Sequence, residues 1–144
     1  MNDHAALTRL ENGMLCGFQY HDGYIRRLDF VSGEQMHVSI ECEGRRFRLE
    51  FSEASVLVKL YGLWQVGSVF AWPTNDACAM HGLSELYADD PSSVSRAIDV
   101  GGWVFQVDDC RGGAIHVFSE CKELHRALRV VREAGPSGAP LCSG

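Results

Sequence analysis

The chain has 144 residues, 46% of them hydrophobic, with 13 Lys and Arg against 19 Asp and Glu for a formal net charge of −6. That composition suits one packed core, leaves little length for two domains, and excludes a disordered chain. No apolar run approaches the roughly 18 residues of a membrane-spanning helix, no collagen period or heptad is present, and the acidic balance speaks against a nucleic-acid binder, which needs a basic stripe to release counterions.

Asn2 to Leu10 reads as a short amphipathic helix capped by Asn2 or Asp3. From Met14 the pattern turns to strands. Met14 to Tyr20 is mostly apolar, His21-Asp22-Gly23 turns, Tyr24 to Val31 runs extended, and Ser32-Gly33-Glu34 turns again. Met36, Val38, Ile40 and Cys42 then alternate with His37, Ser39 and Glu41, and Phe47, Leu49 and Phe51 alternate with Arg46, Arg48 and Glu50. Period two sends one set inward and the other to water. Glu43-Gly44 between them has the length of a two-residue hairpin loop, so the pair should be antiparallel.

Val56 to Tyr61 and Trp64 to Trp72 continue the β pattern, with Gly62 as a bend or bulge. Val66, Val69, Phe70 and Ala71 are apolar on both faces, which predicts a central strand. Residues 77–100 are the least regular stretch, apart from Asp90-Pro91, a cap and first-turn proline opening a helix through Ile98. Trp103, Phe105 and Val107 face the core of a further strand, Asp109 to Gly113 turns, and Ala114 to Phe118 returns. Ser119 is placed to cap a helix over 120–133, with a strand over the same residues as the alternative. Cys121, Leu124, Leu128 and Val131 form its apolar stripe, Arg129 and Arg132 lie in its last turns, and Gly135-Pro136 stops it.

The expected fold is therefore mainly β, bordering on α+β. It is an antiparallel sheet, sandwich or partly closed barrel of about six to nine strands, with helices near 91–98 and 120–133. Residues 1–134 form one domain and 135–144 a tail. The opening Met1-Asn2-Asp3-His4 lacks the basic and apolar regions of a secretory signal. The cysteines at 16, 42, 78, 110, 121 and 142 are dispersed, so reduced thiols in the cytoplasm are expected.

Tyr20-His21-Asp22-Gly23-Tyr24-Ile25 leads into three alternating strands, and Trp103 to Phe118 is a strand, a Gly-rich turn and a strand. This order resembles a group of small bacterial proteins in which a His-Asp pair opens a β-meander. Some of that group look like immunity proteins of contact-dependent toxin systems. The resemblance spans about residues 14–120 and implies a β-rich binding protein without chemistry of its own. The chain departs from the group in its C-terminal helix and in lacking a Gly-Asn pair at 64–72.

Several constellations bear on chemistry. Cys78 and His81, with Cys121 and His125, offer two sulfurs and two imidazoles, the donor set of a closed zinc site. Their pairs lie far apart in sequence and neither is a tight Cys-Cys knuckle, so no metal or cofactor is assigned. His21-Asp22 lacks the helical bundle of His-Asp phosphohydrolases and reads as a turn. Cys121, after Ser119, is the nearest approach to a helix-start nucleophile, and an inert core thiol fits it better. Gly112-Gly113 follows Asp108-Asp109, which would repel a phosphate.

The residues assigned to an interface are Arg26, Arg27, Arg46, Arg48, Trp72, Asp108, Asp109 and Arg111. Arg45 extends the basic group, which meets either the sheet's own glutamates or an acidic partner. Trp72, at a strand end, is either a rim-of-core residue or a binding anchor. The functional expectation is a non-catalytic protein-binding module, an immunity-type inhibitor or a self-associating protein, with no nucleic-acid or membrane partner. Two alternatives stand beside it. One is a small-molecule carrier with an apolar cavity; the other is a metal protein or enzyme using Cys78, His81, Cys121 and His125.

Overall fold

The computed structural model describes residues 3–4, 7–60 and 64–133. In chain order its elements are β1 (Asp3–His4), β2 (Thr8–Arg9), β3 (Leu15–Cys16), β4 (Tyr24–Ser32), β5 (Gln35–Cys42), β6 (Arg45–Phe51), β7 (Ala54–Lys59) and β8 (Val66–Pro73). Then come α1 (Ala79–Leu86), α2 (Pro91–Val100), β9 (Trp103–Asp109), β10 (Ala114–Ser119), α3 (Leu124–Ala127) and β11 (Leu128–Glu133). The fold is mainly β, as expected. One sheet has five strands in the order β1-β11-β6-β5-β4, a second has four in the order β7-β10-β9-β8, and β2 pairs with β3. All pairings are antiparallel.

The two larger sheets close one core between them. Met36, Val38, Ile40, Phe47, Leu49 and Phe51 enter it from the first, and Val69, Ala71, Phe105, Val107, Ile115 and Val117 from the second. Phe51 meets Phe105 edge-on, with ring centroids 5.2 Å apart. A second apolar cluster, with Trp72, Val104 and Phe118 beneath and Ala79, Leu83, Val94 and Ala97 above, seats α1 and α2 on the far face of the four-stranded sheet. The order of layers is sheet, sheet, helices. Strand β10 is central to the second sheet and all six of its residues are buried.

The turn chemistry explains the register. Glu43 (φ 52°) and Gly44 (φ 78°) are both left-handed, as the hairpin turn whose twist matches its strands requires. Cys42 therefore pairs with Arg45, and the inward Met36, Val38 and Ile40 of β5 face the inward Phe51, Leu49 and Phe47 of β6. Asp90 caps α2 by accepting from the Ser92 backbone N–H, and Pro91 takes the first helical position.

Several expectations are corrected. Described residues of 2–10 form β1 and β2, and the stretch 14–20 contributes only β3 and a Met14–Phe70 bridge. β8 is an edge strand: it is apolar on both faces because a sheet covers one and helices the other. The irregular stretch contains α1. The helix over 120–133 is four residues long, and the chain then enters β11 against β6. Leu128 and Val130 satisfy period two as well as Leu124, Leu128 and Val131 satisfy a helix. The β-branched pair Val130-Val131 and a free edge on β6 decide for the strand. Gly62, Cys142 and the tail 135–144 lie outside the described residues. Among the described residues no helix is long and apolar enough to cross a membrane.

Candidate functional site

The outer face of the five-stranded sheet collects Arg26, Arg27, Arg46 and Arg48, and its own carboxylates meet them. Glu41 lies 3.4 Å from Arg26 and 3.5 Å from Arg46. Arg48 reaches Glu50 at 2.8 Å and Glu133 at 3.5 Å, and Arg27 reaches Asp29 at 2.8 Å. A groove of about 490 Å³ runs between Arg26, Arg27, Glu41, Arg46 and Glu133. Its walls are charged, unlike the apolar cavity of the carrier expectation.

The Asp108-Asp109 pair assigned to the interface is not an exposed acidic surface. Asp109 is 4% exposed and accepts from the Arg111 backbone N–H. Asp108 is half-buried and accepts from Gln106 Nε2 at 2.6 Å; burial pushes its carboxyl up while the Gln106 bond pulls it down. Only Arg111 of the three is exposed. Trp72 is buried, stacks on Phe70 and donates its indole N–H to the Asn12 carbonyl, so it belongs to the core under α1 and α2.

The postulated sulfur–imidazole set does not assemble. The Cys121 thiol sits 2.9 Å from Glu53, and His125 lies 3.2 Å from Glu123. Burial, then the Glu53 contact, pushes the Cys121 thiol up, away from the thiolate a nucleophile needs. The five described cysteines are free. His21-Asp22 is a turn: Asp22 is left-handed (φ 65°) and the Gly23 N–H bonds back to the Tyr20 carbonyl.

One member of that set, His81, joins a different group. His81 and Glu85 stand one turn apart on α1, and His116 comes up from β10 beneath them. One ligand atom from each lies within 4.8 Å of the other two, and among the described residues this is the one such group of metal-binding side chains. The rings of His81 and His116 meet edge-on at 5.6 Å. They line a cleft of about 180 Å³ with Lys59, Glu85, Gln106 and Asp108. Gly82 makes the approach possible: a Cβ there would stand 2.9 Å from Val104 Cγ1 and 3.6 Å from His116 Nδ1.

His116 is the unusual member. It is 3% exposed, and its Nδ1 has no hydrogen-bond partner. Burial, then the nearby His81, lowers its pKa, so the ring is held neutral. An orphaned buried polar group of this kind costs about 1–3 kcal/mol. Glu85 gives Oε2 to the Lys59 ammonium at 2.9 Å and presents Oε1 to His81 Nε2 at 3.9 Å. The Lys59 contact holds the Glu85 carboxyl below its usual range. Sequence reasoning found His81 and missed Glu85 and His116. The i, i+4 spacing of His81 and Glu85 was visible, but only with α1 recognised, and no local pattern ties either to a strand residue 31 positions beyond Glu85. No family model, no curated protein and no solved structure matches the chain.

Proposed function

We propose that the chain is a protein-binding module whose docking surface is the open edge of β4, and that the edge takes a second copy of the chain. One observation carries this reading. Six large hydrophobics are exposed among the described residues, and Tyr24, Phe30, Val31 and Trp64 lie on β4 or beside it. Phe30 is 65% and Val31 51% exposed.

The edge has two parts. The segment around Trp64 and Val66 covers Gly23 and Ile25 through backbone bonds, and among the described residues no further strand pairs with the 26–32 edge. Bulges at Arg26 and Val31 bound a regular run from Arg27 to Phe30. Bulges of this kind discourage indiscriminate pairing and confine any partner to a short register. Within the run, Arg27 and Asp29 share the sheet's outer, polar face, while Leu28 and Phe30 share the inner face with Val38 and Met36. Two copies paired antiparallel about Leu28 would set Arg27 opposite Asp29 twice and continue the apolar inner face across the join. That is the self-complementarity of a two-fold interface. The same edge would meet a toxin chain under the immunity-type resemblance.

Sedimentation equilibrium tests the proposal. The wild type should associate to dimers, Arg27→Asp should be monomeric, and the swapped Arg27→Asp/Asp29→Arg variant should dimerise again. A wild type that stays monomeric, or a folded swap variant that fails to recover, overturns it.

A further inference from the structure

We propose that His81, Glu85 and His116 bind one divalent transition-metal ion of the zinc class. The site lies on the helix-covered face of the four-stranded sheet, so it stands apart from the β4 edge. The donors suit the ion: two imidazoles and a carboxylate are borderline ligands that favour zinc and its neighbours over magnesium or calcium, which take oxygen shells. Three protein ligands leave a fourth position to water or a small ligand.

Two independent observations point to an occupant. First, the ligand atoms already converge to within 4.8 Å. A tetrahedral ion with bonds of about 2.0–2.1 Å sets its donors roughly 3.3 Å apart. His81 is exposed and Glu85 partly so, hence small side-chain turns close the remaining distance. Second, His116 is buried, lines the cleft and has an unpartnered Nδ1. A core histidine retained only for packing would have its ring nitrogens bonded to the protein.

The surroundings fit as well. Lys59 fixes Glu85 through one carboxylate oxygen and leaves the other on the His81 side, as outer partners of a ligating carboxylate do. The carboxylates of Glu85 and Asp108 in the same cleft offset the lysine's charge. Gly82 lets α1 settle close enough for ligands from helix and strand to meet.

The test uses full-length protein stripped by a chelator, then titrated with zinc by calorimetry and with cobalt(II) by visible absorption. One ion should bind per chain. His81→Ala and Glu85→Gln should each weaken binding at least tenfold, and circular dichroism should show both folded, since neither side chain is buried. Cys78→Ser/Cys110→Ser, which removes the two exposed described thiols, should bind as the wild type does. The proposal falls if zinc uptake does not saturate, or if both ligand variants bind unchanged. It falls equally if binding disappears with the thiols, or if the cobalt complex shows thiolate charge-transfer absorption.

Discussion

His116 sets the terms at the residue scale, because a buried imidazole with an open nitrogen is tolerated only where something compensates it. In chelator-treated protein, His116→Leu should be as stable as the wild type or more so. Zinc should raise the melting temperature of the wild type alone, by linkage to the folded state. A Leu variant that zinc still stabilises would contradict the assignment. The core is more conventional. Val38, Ile40, Phe47, Leu49, Phe105 and Val107 are 0–2% exposed, as their alternation requires. Phe105→Ala removes the edge contact with Phe51 and should cost about 3–5 kcal/mol in urea unfolding. A loss under about 1 kcal/mol would be inconsistent with that burial.

Among the elements, α1 shows how a single glycine hides a helix and then makes it useful. Ala79, Leu83 and Leu86 have helical spacing, and Gly82 interrupts the pattern because the sheet lies directly beneath it. Gly82→Ala should gain up to about 1 kcal/mol in helix propensity. It also drives a Cβ to within 2.9 Å of Val104 Cγ1, which is fully buried and must shift to make room. The net effect should be destabilising, with a lower unfolding midpoint and weaker zinc uptake. In α2, hydrogen bonds from Ser93 and Ser92 hold the Asp90 carboxyl below its usual range. A depressed folded value means that its contribution is present above the ordinary aspartate pKa of about 3.9 and is lost as pH falls through the folded value. Below about pH 4, the wild type should therefore lose stability more steeply than Asp90→Asn, as measured by denaturant midpoints.

For the whole molecule, the three layers separate two surfaces. The β4 edge belongs to the first sheet, and the His81–Glu85–His116 cleft lies on the helix side of the second. Sites that share no side chains should vary independently. Phe30→Asp should abolish dimerisation and leave zinc affinity unchanged, while His81→Ala should do the reverse. Linked losses in sedimentation and calorimetry would show that one site depends on the other. Leu28 of β4 packs against the core between the sheets, whereas His81, Glu85 and His116 lie outside it.

Local chemistry determined the elements that obey one period without rivals. β5 and β6 alternate cleanly, and Glu43-Gly44 admits one turn; Asp90-Pro91 opens one helix. The mainly β class and the Phe47 core followed from these, and the Phe105 core from the alternation of Trp103, Phe105 and Val107. Tertiary structure decided the cases in which two periods fit or in which burial has two causes. Residues 128–133 became a strand because β6 offered an open edge, and β8 reads as central because layers, not neighbouring strands, cover it. The interface residues split for the same reason. Arg26 and Arg46 meet Glu41, and Arg48 meets Glu133, only when register aligns the strands, and Asp109 is hidden by its own turn. Neither candidate surface was legible either. Exposure of Phe30 depends on which strand ends the sheet, and the approach of His116 to α1 depends on how closely a helix packs, properties set by contacts between segments distant in the chain.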